Sequence, residues 1–252
     1  MSVTSVSNSL SASFSSPLVT RLRAAGCVFA EDEAELLLST ARTPDELDAM
    51  ARRRCAGEPL ELVLGWAAFH GLRITVVPGV FVPRRRTEFL ADRAAALARP
   101  GSVVVDLCCG SGAVATALAA TVTGLDLHAA DIEPPAVRCA RLNLQDAGRV
   151  DVLVANTPYV PTSEIPLLPP EARDHEPLVT LDGGADGLDV QRRVAAGARS
   201  WLAPGGSLLV ETSERQAVRA MAVFAGAGLV PRLVRDEELD AHVVIGVRPG
   251  RR

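Results

Sequence analysis

From residue 102 onward, short apolar runs alternate with amphipathic stretches. Val103-Val104-Val105, His128–Ile132, Val152–Ala155 and Ser207–Val210 read as strands. Between them the spacing predicts helices over Ala113–Ala120, Pro134–Leu144, Val190–Trp201 and about 214–227. In the second of these, Ala136, Val137, Ala140 and Leu144 form one apolar face. Val230–Arg235 and His242–Val247 read as a closing pair of strands. Such alternation predicts a doubly wound α/β sheet of Rossmann type.

The first third of the chain has a different texture. Three short helical patterns cover about 17–25, 31–41 and 44–55. Pro44 suits the first turn of the third, with Thr43 as its N-cap and Glu46 as the return partner of a capping box. Gly71 to Val82 alternates and is β-rich, and Pro78-Gly79 signals the turn of a hairpin. Thr87 to Ala98 is helical again. The predicted organisation is a poorly ordered Ser-rich stretch over 1–16 and a small helical module over 17–56. A linker with the hairpin follows over 57–86, and the α/β domain over 87–252.

One interval is too short. Only residues 145–151 separate the helix ending near Leu144 from the strand at Val152. A third strand and a further helix do not fit there, so strand two must reach the next strand through a single helix. On the usual face that crossover would be left-handed, against a preference of about 98% for the right-handed form. Either the third strand is missing from this protein or residues are missing from the sequence. An intact mass above 26.5 kDa would show the latter.

Composition narrows the partners. With 48% hydrophobic residues the chain can bury a full core. No apolar run approaches the ~20 residues of a membrane span, and the N-terminus lacks the regions of a secretory signal. Net charge is −4 and every basic residue is Arg, which gives no footprint for direct nucleic-acid binding and no Lys chemistry. The five cysteines, Cys27, Cys55, Cys108, Cys109 and Cys139, include no CxxC pair. They are expected as small buried residues in a reducing cytosol, with no disulfide framework and no metal site.

The chemistry lies at the strand ends. Strand one runs into Asp106-Leu107-Cys108-Cys109-Gly110-Ser111-Gly112, a glycine turn that lets backbone approach a ligand. It lacks the spacing of a dinucleotide fingerprint and the Lys-Ser/Thr pair of a phosphate loop. Asp131, about 20 residues on, is placed to accept ribose hydroxyls. A glycine turn and an acid without phosphate machinery suit S-adenosylmethionine.

The run Val152–Ala155 stops at Asn156-Thr157-Pro158-Tyr159, and Tyr159 is the only tyrosine. This tetrapeptide resembles the Asn-Pro-Pro-Tyr motif of methyltransferases that act on planar nitrogens, with Thr in place of the first Pro. Four further stretches resemble the HemK/PrmC family of protein-glutamine methyltransferases. They are GEPLELVLGWAAFHGLRITVVPGVFVPRRRTE, DLCCGSG, HEPLVTLDGGADGL and LAPGGSLLVE, covering the chain from about residue 57 onward. The resemblance implies a class I methyltransferase domain behind a helical substrate-binding module. It implies transfer of a methyl group from S-adenosylmethionine to a glutamine amide, in the Gly-Gly-Gln loop of a peptide-chain release factor or in a ribosomal protein. It places Arg84, Thr87 and Glu88, with Pro83, on the cofactor side together with Asp106, Cys108, Gly110, Gly112, Asp131 and Asn156. Arg85 and Arg86 remain open between that side and a solvated basic turn.

In this reading Asn156 Oδ1 and the carbonyl of residue 157 accept the two N–H bonds of the substrate amide, so Thr can stand where the family has Pro. Pro158 restricts residue 157, and Tyr159 packs on the planar group. His70, His128, His175 and His242 are scattered, and none is a credible general base. Two rival functions stay open: an N6-adenine nucleic-acid methyltransferase, and a non-catalytic cofactor-binding regulator.

Overall fold

The computed structural model describes residues 16–131 and 150–250. The Ser-rich start, Cys139 and the helix expected over Pro134–Leu144 lie outside the described residues. The chain divides into two compact units. Unit one takes residues up to Ala67, Thr75–Val82 and Pro169–Glu176, and unit two takes Ala68–Ile74, Pro83–Leu168 and the chain from Pro177 on.

Unit one is helical. Helices α1 (16–24), α2 (Ala30–Thr40), α3 (Pro44–Cys55) and α4 (Leu60–Leu64) bury Leu22, Leu37, Leu47, Met50 and Val63 against one another. Thr43 caps α3 as expected, its hydroxyl accepting the Glu46 N–H at 3.2 Å. The return bond differs: the Glu46 carboxylate accepts from the N–H of Arg42, at 2.8 Å, and not from that of Thr43. Arg54 is the electrostatic centre of the unit. It grips Glu33 with two bonds of 2.7 and 3.0 Å and reaches Glu171 at 2.8 Å. Through Glu171 a short helix from the second half of the sequence, Pro170–His175, joins this unit.

Strands β1 (Trp66–Phe69) and β2 (Leu72–Thr75) form the hairpin. Its turn is not Pro78-Gly79 but His70-Gly71, where φ is 53° and 72°. Two consecutive left-handed residues make the primed turn that matches the twist of a tight hairpin. Pro78-Gly79 forms a separate turn, closed by Val80 N–H to the Val77 carbonyl.

Unit two holds a six-stranded sheet. Its strands are β3 (Val103–Leu107), β4 (Asp126–Ala130), β5 (Val150–Ala155), β6 (Leu202–Thr212), β7 (Val230–Asp236) and β8 (Ala241–Val247), in the order β4-β3-β5-β6-β8-β7. The first four run parallel, and β8 is antiparallel to both β6 and β7. Alternate strand residues enter opposite cores. Val104, Val152, Val154 and Leu209 pack with Leu90, Ala94, Val114 and Leu118 of α5 (Thr87–Leu97) and α6 (Ala113–Thr121). Val105, Leu153, Leu208 and Val210 pack with Val194, Ala198, Ala220 and Phe224 of helices Asp189–Trp201 and Glu214–Gly226. Burial on both faces explains why these strands read as unbroken apolar runs.

Among the described residues β4 is one edge strand of the sheet and β7 the other. The connection from β4 to β5 lies outside them, as does the expected left-handed crossover.

Candidate active site

The site is set by register. Leu107 of β3 pairs with Ala155 of β5, and Ala155 with Val210 of β6. Cys108, Asn156 and Glu211 therefore stand at one level, at the carboxyl ends of three adjacent parallel strands. From β3 the chain goes to β4 on one side, while β5 lies on the other, so the strand order reverses between β3 and β5. Open α/β sheets bind ligands at the carboxyl ends of their strands at such a point.

The glycine turn follows β3. Cys108, Gly110 and Gly112 all carry left-handed φ, of 61°, 50° and 74°. Cys108 is not a glycine, and a residue held there marks a loop whose path is fixed by its surroundings. The holders are visible: Cys109 N–H donates to the Ala130 carbonyl at 3.0 Å and Gly110 N–H to Asp131 Oδ2 at 2.5 Å. Asp106, 1% exposed, accepts the Ala115 N–H of α6 at 3.0 Å. Burial pushes its carboxyl up to about 7; that N–H opposes the shift and the Asp131 charge adds to it. Burial also holds the Cys108 and Cys109 thiols up at about 12, so neither is a nucleophile. Among the described residues, a side chain added at Gly112 would meet nothing within 4 Å.

Asn156 stands one strand away. Its Nδ2 donates to Thr87 Oγ1 at 3.1 Å, and the Thr87 hydroxyl donates to Glu211 Oε2 at 2.6 Å. Glu211 Oε1 accepts from Arg86 Nε and from the Tyr159 hydroxyl, each at 3.1 Å. Arg86 also donates to the Tyr159 oxygen at 2.5 Å, and its guanidinium carbon lies 5.8 Å from the ring centroid. Burial and then the Glu211 charge push the Tyr159 phenol well above its ordinary range, so it stays protonated.

The expected residues are thus distributed unevenly. Asn156, Thr87 and Tyr159 share one network, and Thr87, 3% exposed, has its hydroxyl committed inside the protein. Glu88 turns to the hairpin, accepting the His70 N–H at 2.9 Å. Thr157 is 2% exposed, and its hydroxyl has no partner among the described residues. Of the two arginines left open, Arg86 enters the network and Arg85 is exposed.

Glu211 went unnoticed in the sequence although it closes LAPGGSLLVE. The available signal was an acid directly after a fully buried run, at the carboxyl end of a parallel strand.

The Gly-rich stretch 183–187 acts as a brace. Val160 N–H donates to Leu181 O, Gly183 N–H to Val160 O and Thr162 N–H to Gly184 O. Gln216 Nε2 clamps the carbonyls of Tyr159 and Asp186 at 2.8 and 3.0 Å. A Cβ at Gly187 would sit 2.2 Å from the Tyr159 carbonyl oxygen, so only glycine lets the two segments close.

This geometry has relatives. Residues 71–162 match the family model described as Methyltransferase small domain. A release factor glutamine methyltransferase of Geobacter sulfurreducens is 34% identical over 227 residues, 82% of this chain and 80% of that protein. One of Streptomyces coelicolor is 38% identical over 193 residues, 68% of this chain and 69% of its own. The chain belongs to the HemK/PrmC family. A crystal structure of a methyltransferase from Pyrococcus furiosus shares the fold of this HemK/PrmC member, with a TM-score of 0.50 at 15% identity over 71% of this chain and 90% of that one.

Proposed function

We propose that this protein transfers a methyl group from S-adenosylmethionine to the side-chain amide nitrogen of a glutamine in a protein, the Gly-Gly-Gln loop of a peptide-chain release factor. The observation that carries the reading is the register that sets Asn156 one strand from the glycine turn. The relatives' names supply the substrate. We place the activity in the cytoplasm, with a protein as the partner and no direct contact with nucleic acid. Among the described residues no helix is long and apolar enough to cross a membrane.

The donors present fit the cofactor. Gly110 and Gly112 offer close backbone, and Asp131 stands at the end of the adjacent strand for the ribose. Asp106 and Cys108 hold the turn in shape, and Arg84 is assigned to the cofactor side on resemblance; Glu88, assigned there on the same ground, also accepts the His70 N–H of the hairpin. Bound there, the cofactor would supply an electrophilic methyl on a positively charged sulfur, a group that departs as a neutral thioether.

A carboxamide nitrogen is a weak nucleophile because its lone pair is delocalised. The protein's task is aim, setting that nitrogen in line about 3 Å from the methyl. Asn156 Oδ1 makes no bond among the described residues, and it accepts one substrate N–H. The Thr157 carbonyl accepts the other, with Pro158 keeping the loop extended. Both oxygens favour the positive charge that grows on nitrogen. Tyr159 offers the ring face away from Arg86 to the planar amide, and the methylated nitrogen gives its proton to water.

The test mixes the protein with labelled cofactor and either release factor or DNA. Label on the release-factor glutamine supports the reading. Label on DNA alone, or cofactor binding with no transfer, overturns it. Asn156→Ala is expected to lower kcat by about a thousandfold, the scale of losing one preorganised dipole.

A further inference from the structure

We propose that Glu211 is a positioning residue: through Thr87 it fixes which end of the Asn156 amide faces the substrate. The proposal rests on the function given above. It follows from counting protons. A carboxylate only accepts, so at 2.6 Å the single hydroxyl proton of Thr87 must go to Glu211 Oε2. The Thr87 oxygen can then only accept at its 3.1 Å contact with Asn156. Of the two ends of an amide only the NH2 donates, so Nδ2 must lie against Thr87 and Oδ1 must face away from it. The acceptor that methyl transfer needs is thereby presented, and the NH2 that would repel a substrate N–H is held back.

The anchoring is firm. Glu211 is 1% exposed, and its other oxygen holds Arg86 and Tyr159 at 3.1 Å each. Gln191 Nε2 holds its backbone carbonyl at 3.2 Å. Thr87 is in the first turn of α5, 3% exposed, and can donate to only one partner.

Glu211→Gln keeps the shape but reverses the logic. Its new NH2 can donate to Thr87, whose proton then turns to Asn156 and draws Oδ1 inward. Expected is a fall in kcat of about a hundredfold, with the release-factor KM within about twofold of wild type. Thr87→Val should lose as much, and Thr87→Ser, which keeps the hydroxyl, should recover most of that loss. Glu211→Gln combined with Thr87→Val should be no worse than Thr87→Val alone, because no hydroxyl remains to relay the change.

A second readout needs neither cofactor nor substrate. In the side-chain amide NMR spectrum, one Asn156 proton should exchange slowly with water in wild type and in Thr87→Ser. It should lose that protection in Glu211→Gln and Thr87→Val. Near-wild-type kcat in Glu211→Gln, multiplicative losses in the double variant, or an unchanged Asn156 resonance would each overturn the proposal. If wild type transfers no methyl, the function fails and the amide spectrum alone decides the relay.

Discussion

In the helical unit, Glu33 meets a single arginine; at the end of β6, Glu211 meets three donors from two separate segments. Both carboxylates are buried. Arg54 takes Glu33 in a fork, so this carboxylate is spent on one partner and its effect is cohesion of α2 and α3, while Arg54 also reaches Glu171. Glu211 is incomplete without a hydroxyl that in turn holds something else. A buried carboxylate with one bidentate partner is a clamp. One with several single-bond partners orients groups, and its worth appears in geometry more than in stability.

The largest expected effect tests the clamp. Arg54→Ala strands Glu33 in a site where both side chains are 10% exposed. Removing one member of a buried pair costs about 3–5 kcal/mol, so the folded state should become marginal in urea titration. Glu211→Gln should leave stability far less affected while transfer falls. Equal losses of stability in the two variants would erase the distinction.

A third buried carboxylate sharpens it. Asp106 accepts the Ala115 N–H, and burial lifts its carboxyl from the ordinary 3.8 to about 7. The folded state therefore binds this proton more tightly than the unfolded chain does. Its contribution to stability is greatest at low pH, falls as pH rises toward 7, and is flat above that. The slope is on the order of 1 kcal/mol per pH unit. Asp106→Asn should remove it, and the difference in unfolding free energy between wild type and variant from pH 5 to 7 measures it. No difference in slope would mean that the carboxyl finds stronger donors than the Ala115 N–H.

Much of this was readable from residues alone. The buried strands announce themselves as apolar runs, and the motifs sit at their ends. What escaped did so for physical reasons. The hairpin turn uses His70-Gly71, both at positive φ and a weaker signal than Asn-Gly, while Pro78-Gly79 gives a stronger but misleading turn pattern. The capping box was right in type, but Glu46 reaches one residue further back than the rule assumes. Glu211 and its partners Thr87 and Arg86 are 124 and 125 residues apart, so only the fold can join them.

The smallest effect concerns a buried polar group with no partner. The Thr157 hydroxyl is enclosed a few residues from the Tyr159 network, yet nothing among the described residues bonds it. Removing a hydroxyl from water without a replacement bond costs about 1–3 kcal/mol, and part of that returns when the hydroxyl is replaced by a methyl of similar size. Thr157→Val should therefore raise the unfolding midpoint by about 2–4 °C, the shift that about 1 kcal/mol produces in a chain of this size. A lowered midpoint would show that the hydroxyl is bonded after all. The sign is what separates the two polar groups, since a carboxylate with three donors resists replacement and an orphaned hydroxyl invites it.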